Sequence, residues 1–323
     1  MRMVIYGAGA IGGTIGGHLA LAGHPVMLIA RGAHAQAMRE HGLRFITPGG
    51  THTLRLPVVT GPLHVDWQTE DVVLLTVKGQ DTEAALRDLA AATGDVPVFC
   101  MQNGVRNEEI AAGCFDRVYA AMLRVEAMHL VPGEVVAHRD PPGCIALGCY
   151  PTGVDELAET VAAALRSAGF SVLVTPEIMP YKWGKLLSNL ANAVGAITGE
   201  ERPGPDFIRI VQAARTEARL LLEQAGLCWR SSEALAEACP ELKQPPRAVV
   251  PCEPRNSTWQ SLARGQGAVE TEFLNGEIVR LAERLGARAP VNAGLTRIAL
   301  EMAAAGERPG KYSSSELRAL LSV

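Results

Sequence analysis

The stretch Met3-Val4-Ile5-Tyr6 followed by Gly7-Ala8-Gly9-Ala10-Ile11-Gly12 constrains the fold of this chain more than any other. Four mostly apolar residues read as a buried strand. The glycines spell G-x-G-x-x-G, and the proline-free run from Ile11 through Leu19 to Gly23 reads as a helix. Strand, glycine turn and helix in this order form a dinucleotide-binding fingerprint. Gly7 permits the tight turn, Gly9 lets backbone approach a pyrophosphate, and Gly12 lets helix and strand pack closely. The helix start then offers N–H groups and a partial positive charge to phosphates. Two other readings stand beside this one: a ligand-free glycine-rich helix on a sheet, and a targeting segment. The second arises because no Asp, Glu, Lys or Arg occurs from Met3 to Ala30. His18, His24 and Pro25 interrupt the stretch and argue against a membrane span.

The second strand, Val26–Ala30, ends at Arg31. NAD sites commonly place an acid there for the ribose 2′-hydroxyl, whereas an arginine pairs with a 2′-phosphate. The expectation is therefore NADPH rather than NADH. Residues 43–60 read as a hairpin around Pro48-Gly49-Gly50, and Asp71–Val77 as a buried strand ending at Lys78-Gly79. A helix at 82–92, a strand at 96–101 and Gln102-Asn103-Gly104 follow. Ligands of open parallel sheets sit outside the carboxyl ends of the strands, which makes Lys78 and Asn103 candidates. A strand at 117–122 precedes segments 126–131, 135–138 and 145–147, which look like antiparallel additions to the same sheet. A helix at 155–168 and a strand at 172–174 close the first half.

From Pro176 the pattern turns to amphipathic helices, so the expected architecture is an α/β Rossmann-type domain over 1–175 followed by an all-α domain over 176–323. One helix is expected over 179–196. On it Lys182, Lys185, Asn189 and Asn192 recur at spacings of three and four and share a face. Asparagine is a poor helix former, which favours a wet cleft over a solvent face for this stripe. Further helices are expected at 207–224, 233–238, 261–285, 292–304 and 314–321. Residues 227–255 read as loop-rich.

At 323 residues with formal charge −4, the chain has no basic stripe to suggest nucleic acid, and no membrane association is expected. Seven cysteines without C-x-x-C argue against a disulfide framework and a zinc site; they fit a reducing cytoplasm, and no metal is expected.

The motifs G-A-G-A-I-G (7–12), Arg31, V-K-G (77–79), Q-N-G (102–104), K-W-G-K-L-L-S-N (182–189), N-S-T-W-Q-S (256–261) and E-T-E-F-L-N-G (270–276) occur in this order. Over nearly the whole chain they resemble the ketopantoate reductase (2-dehydropantoate 2-reductase) family. The resemblance implies a Rossmann domain and a helical domain, NADPH as hydride donor, and reduction of a small-molecule 2-oxo acid. Ketopantoate is the first candidate, with a place in pantothenate biosynthesis. It implies that Lys185 is the proton donor and that Glu270 hydrogen-bonds the substrate hydroxyl. Asn189 and Ser257 would hold substrate, and Asn103 and Lys78 would lie near the nicotinamide and the reacting carbonyl. The turn residues Gly7, Ala8, Gly9, Ala10, Ile11 and Gly12, with Arg31, would hold the cofactor.

Three departures from the family pattern fall in the substrate half. A second helix asparagine is replaced by Ala193, with Asn192 one place early as a candidate substitute. The 257–261 segment has Ser261 in place of an acid, and 267–269 lacks the usual basic and threonine positions. Trp259 adds bulk here, so a bulkier 2-oxo acid is a candidate substrate. Two other functions remain open: a hydroxyacid or hydroxyacyl dehydrogenase, and a non-catalytic NADPH-binding redox sensor. All eight histidines lie at or before His138, so the helical half offers none as an acid or base. A homodimer is admitted, with nothing in the sequence fixing the oligomeric state.

Overall fold

Both faces of the first strand are apolar, and the computed structural model shows why. The structure describes residues 1–200, 203–238, 255–265 and 267–323. β1 (Arg2–Tyr6) sends Met3 and Ile5 into one buried cluster and Val4 and Tyr6 into another, as a strand covered on both sides must. It pairs in parallel with β2 (Val26–Ile29) and β6 (Asp71–Leu75). β5 (Val58–Val59), β7 (Val98–Cys100), β8 (Val118–Val125), β11 (Gly143–Cys149) and β12 (Ser171–Val174) complete an eight-stranded sheet. Its order is β12-β11-β8-β7-β6-β1-β2-β5, parallel except where β11 runs against β8. The order in which strands are added reverses between β1 and β6, the place where doubly wound sheets take ligands.

α1 (Ala10–Leu21) accounts for the glycine richness. A side chain at Gly12 would strike the Gly7 carbonyl oxygen and stand 2.8 Å from Ile5 Cγ2, and one at Gly16 would stand 3.1 Å from Ile5 and Leu28. Gly13 and Gly17 face elsewhere: a Cβ there would lie 2.6 Å from Val135 and 2.8 Å from the Phe45 ring. The helix is thus pressed on two faces, which explains an uncharged segment without invoking export.

The second covering is a correction to the sequence reading. β3 (Leu43–Thr47) and β4 (Gly50–Leu54) form the expected hairpin. β9 (Ala127–Met128) and β10 (Glu134–Ala137), expected as additions to the main sheet, instead join that hairpin in a four-stranded sheet ordered β4-β3-β10-β9. β10 pairs in parallel with β3, and Val135 and Phe45 close over α1. Of the three segments so expected, β11 is the one that joins the large sheet antiparallel, against β8. α2 (Gly32–His41), α3 (Thr82–Ala92), α4 (Asn107–Ala112) and α5 (Glu156–Ser167) fill the connections.

Two further expectations change in the second half. The helix expected over 179–196 is two: α6 (Ile178–Asn189) and α7 (Ala191–Thr198), interrupted at Leu190. The Leu190 carbonyl accepts a bond from the Asn275 amide at 3.3 Å, an outside claim on the helix ladder. The helix expected over 261–285 is α10 (Ser257–Ala263), a 3₁₀ turn at Glu270–Phe273 and α11 (Asn275–Arg284). Gly265 and Gly267, at φ of +61° and +68°, stop the first helix. α8 (Pro205–Gln224), α9 (Ser232–Ala238), α12 (Pro290–Ala304) and α13 (Ser314–Leu321) stand near their expected places. Most of the loop expected over 227–255 lies outside the described residues.

The described residues form two compact units. One takes Met1–Gln102, Asn107–Tyr181 and residues from Ser231; the other takes Asn103–Arg106, Lys182–Arg230 and residues from Arg255 to Val323. The helical unit has its own core of Val194, Ile197, Ile210, Leu295, Ala299 and Met302. Glu217 of α8 accepts from the Val291 and Asn292 backbone N–H groups at 2.8 and 3.0 Å, capping α12 with a carboxylate where the helix dipole favours one.

Candidate active site

The glycine turn is the sheet unit's candidate cofactor-binding element. Gly7 adopts φ +109°, and a Cβ there would lie 2.7 Å from the Val77 nitrogen, so both conformation and space demand glycine. Thr76 at the end of β6 donates to the Gly7 carbonyl at 2.9 Å and fixes the turn from below. At Gly9 a Cβ would meet nothing within 4 Å. That space lies at the start of α1, where the N–H groups of Ala10, Ile11 and Gly12 have no partner within the helix. An open backbone cradle at a helix N-terminus fits a pyrophosphate.

His34 of α2 supports the same turn. Its Nε2 lies 2.7 Å from the Ala8 carbonyl, while its Nδ1 accepts the Gly133 N–H at 2.8 Å. That pairing selects the neutral tautomer with the proton on Nε2, and burial lowers the pKa in the same sense. Arg31, at the end of β2, is 74% exposed at its side chain, with Nη2 3.3 Å from Asp81 Oδ2.

Beyond β6 and β7, the V-K-G and Q-N-G motifs are joined by a buried polar cluster. The Gln102 amide donates to the Val77 carbonyl at 2.7 Å and to the Thr82 hydroxyl at 2.8 Å; Thr82 in turn donates to Asn107 Oδ1 at 2.8 Å. Gln102 therefore holds the loop that carries Lys78.

In the helical unit, Lys182 and Asn189 are buried and Lys185 is half-buried, so the lysine-asparagine stripe is not a solvent face. Gly184, between the two lysines, lets the Arg230 backbone pass directly against α6. Asn189 Nδ2 donates to Asn103 Oδ1 at 3.1 Å, joining two candidates 86 residues apart. Asn192 lies beyond the break, half-buried on α7, and Ala193 beside it turns into the helical core.

Ser257 opens α10 behind Asn256, whose side chain caps the helix by accepting the Trp259 N–H at 2.9 Å. The Ser257 hydroxyl is buried with no hydrogen-bond partner among the described residues. Glu270 is buried in its 3₁₀ turn, and the Arg264 guanidinium exerts an attractive charge interaction with it. Burial pulls the Arg264 pKa down, and the Glu270 charge opposes that fall. Trp259 packs against the helical core, with the Arg255 guanidinium 5.0 Å over its ring.

Arg264, Arg106, His34 and Asn275 were not singled out from sequence. Asn256 is a residue type favoured at helix N-caps; the others act through contacts between distant segments that no local pattern shows. Among the described residues, no group of three or more His, Cys, Asp or Glu could hold a metal, and no helix is long and apolar enough to cross a membrane.

Residues 3–152 match the model of the family described as Ketopantoate reductase PanE/ApbA, and 177–303 match that of its C-terminal domain. A 2-dehydropantoate 2-reductase of Pyrococcus horikoshii is 30% identical over 299 residues, covering 90% of this chain and 94% of that protein. The chain belongs to the ketopantoate reductase family. The solved structure of a PanE/ApbA family ketopantoate reductase from Ralstonia eutropha is 30% identical with TM-score 0.79, covering 95% of this chain and 99% of that one. A D-mandelate dehydrogenase solved with NADH and anilino(oxo)acetate shares the fold, with TM-score 0.81 at 23% identity over 95% of this chain and 99% of that one. The ketopantoate reductase fold, a Rossmann-type unit followed by a helical one, is thus the fold of this chain.

Proposed function

We propose that this ketopantoate reductase family member reduces a 2-oxo acid to the 2-hydroxy acid with NADPH, ketopantoate being the first substrate to test. The work would be divided between a nucleotide-binding domain over 1–175 and a helical substrate domain over 176–323. The observation that carries the reading is the Asn189–Asn103 hydrogen bond at 3.1 Å. It joins the motif after β7 to the lysine-bearing helix, two segments that a nucleotide-binding protein without chemistry has no need to join.

The turn Gly7–Gly12 would hold the pyrophosphate on backbone N–H groups, and Arg31 would take the 2′-phosphate. Bound NADPH supplies the hydride. Reduction of a ketone builds negative charge on its oxygen; the Lys185 ammonium stabilises that charge and gives up its proton to form the hydroxyl. Glu270 accepts a hydrogen bond from a substrate hydroxyl. Asn103, Asn189 and Ser257 supply polar contacts that orient the acid. The buried Ser257 hydroxyl, without a partner among the described residues, supports this role, because an unpaired buried hydroxyl is costly until something pairs it. Asn192 would serve as a fourth polar contact, and Lys78 as a group near the nicotinamide.

A bulkier 2-oxo acid is the second reading, resting on the departures at Ala193 and Ser261. The D-mandelate dehydrogenase of the same fold was solved with a bulky oxo acid, which puts an aryl 2-oxo acid on the panel. Trp259 supports it less, since its ring packs on the core.

The test follows NADPH oxidation by the purified protein with ketopantoate, 2-oxoisovalerate, an aryl 2-oxo acid and a 3-oxo acid. Ketopantoate or another 2-oxo acid is expected to turn over. In Lys185→Ala, kcat should fall by roughly 10²–10⁴ with NADPH affinity unchanged. Turnover of the 3-oxo compound alone would overturn the substrate class. A Lys185→Ala enzyme with most of its kcat would remove the lysine from its role.

A further inference from the structure

Asn103–Arg106 is a short piece of chain with an unusual allegiance. The residues on both sides belong to the sheet unit, yet these four pack with the helical unit. Asn103 meets Asn189 there, but a bond between two neutral amides is a modest restraint. A stronger one lies three residues on. Arg106 Nε donates to Glu277 Oε2 at 2.7 Å, with the two side chains 18% and 3% exposed. The Arg106 guanidinium also lies 4.6 Å from the centroid of the Phe273 ring. Glu277 is shared with Arg280, whose Nη1 stands 3.7 Å away.

A charge-assisted bond is about twice as strong as a neutral one, and a planar guanidinium that both pairs and stacks is fixed in direction as well as distance. With Gly104 at φ +86° between them, Asn103 and Arg106 form the two ends of one turn. Tying down Arg106 limits where Asn103 can go: three residues span at most about 11 Å when fully extended.

We propose that Arg106 is a positioning residue for the reduction: its ion pair with Glu277 and its stack on Phe273 hold Asn103 against Asn189. This rests on the reductase reading for its kinetic consequence, but not for its geometry. Arg106 touches neither substrate nor cofactor in this scheme; it acts through Asn103. Glu277 and Phe273 lie on or just before α11, so the turn carrying Glu270 and the loop carrying Asn103 share one anchor.

The experiment is a double-mutant cycle on the full chain, using Arg106→Gln, Asn103→Ala and the double variant, with ketopantoate and NADPH. Glutamine keeps an N–H for Glu277 but loses the charge and the stack. Arg106→Gln should lower kcat/KM for the oxo acid about tenfold or more, with NADPH affinity changed less than about threefold. The double variant should lie within about twofold of Asn103→Ala alone, because an anchor is worthless once the anchored amide is gone. Losses that multiply, or an Arg106→Gln enzyme with more than about half its activity, would overturn the proposal.

A second readout needs no turnover: the side-chain amide resonance of Asn189 in ¹⁵N spectra. It should move in Arg106→Gln as it moves in Asn103→Ala. An unmoved signal refutes the anchor even if no substrate is ever found; a moved signal in a protein that reduces nothing would retain the anchor and refute the reductase reading. Should glutamine leave too little folded protein, Arg106→Lys keeps the charge, loses the stack and enters the same cycle.

Discussion

Gly9 and Gly12, three residues apart in one turn, are glycines for different reasons. Gly12 is enclosed by the Gly7 carbonyl, Thr76 Oγ1 and Ile5, so its missing side chain serves packing. Gly9 faces open space on an extended backbone at φ −75° and ψ −151°. No neighbour among the described residues fills that space, which fits the proposal that a ligand does. Gly12→Ala should therefore destabilise the fold by about 1–3 kcal/mol through overpacking against backbone. Gly9→Ala should change stability by less than about 1 kcal/mol while weakening NADPH binding about tenfold or more. Chemical denaturation and a cofactor titration on the two variants separate these effects. A Gly9→Ala protein that binds NADPH as well as the parent would mean that the cradle is not the pyrophosphate site.

At the scale of elements, α1 lies between two sheets, and that arrangement carries a pH dependence. His18 packs edge-on to Phe45 and Phe170, with ring centroids 5.0 and 5.5 Å away, and its Nε2 has no partner among the described residues. Burial pushes its pKa from the ordinary 6.5 down to about 4; Asp140 pulls weakly the other way and His52 adds to the fall. A histidine whose folded pKa is depressed favours folding fully above its unfolded value. That contribution is lost as pH falls from about 6.5 towards 4, because the unfolded chain binds the proton first. Stability measured by denaturant should decline across this window, and His18→Leu should flatten the slope; an unchanged slope would show that other groups set it. The same elements mark what could be read from sequence. The β1–turn–α1 unit was legible from its glycine fingerprint, and the helices α3 and α13 from their local amphipathic pattern. The small sheet was not, since β10 finds its parallel partner β3 some ninety residues back, through Val135 and Phe45 rather than any local signal. The break at Leu190 was equally hidden, having neither glycine nor proline and depending on an amide from Asn275. The Gly265 and Gly267 break had a visible signal, obscured by helix-forming residues on both sides. The candidate site followed the same rule: its residue types stood in motifs, but the meeting of Asn103 with Asn189 is a property of the folded chain.

For the molecule as a whole, the proposed preference for NADPH rests on one exposed side chain and should be readable in global stability. Arg31 pairs with Asp81 at 3.3 Å, but both side chains are well exposed, at 74% and 41%. An exposed pair of this kind contributes little and is cheaply exchanged for another anion. A 2′-phosphate carries more charge than a carboxylate and accepts a guanidinium in two bonds, so Arg31 should leave Asp81 for it. A ligand that binds only the folded chain stabilises it by RT times the logarithm of one plus the ratio of its free concentration to its dissociation constant. At equal concentrations well above both dissociation constants, a tenfold preference for NADPH over NADH should appear as about 1.4 kcal/mol of extra stability. Denaturant midpoints with each cofactor test this without any substrate being known. Arg31→Asp should erase the difference or reverse it, since an acid at this position repels the phosphate and accepts the ribose hydroxyl instead. If the two cofactors stabilise the parent protein equally, Arg31 does not select between them, and NADH becomes as good a hydride donor for this fold as NADPH.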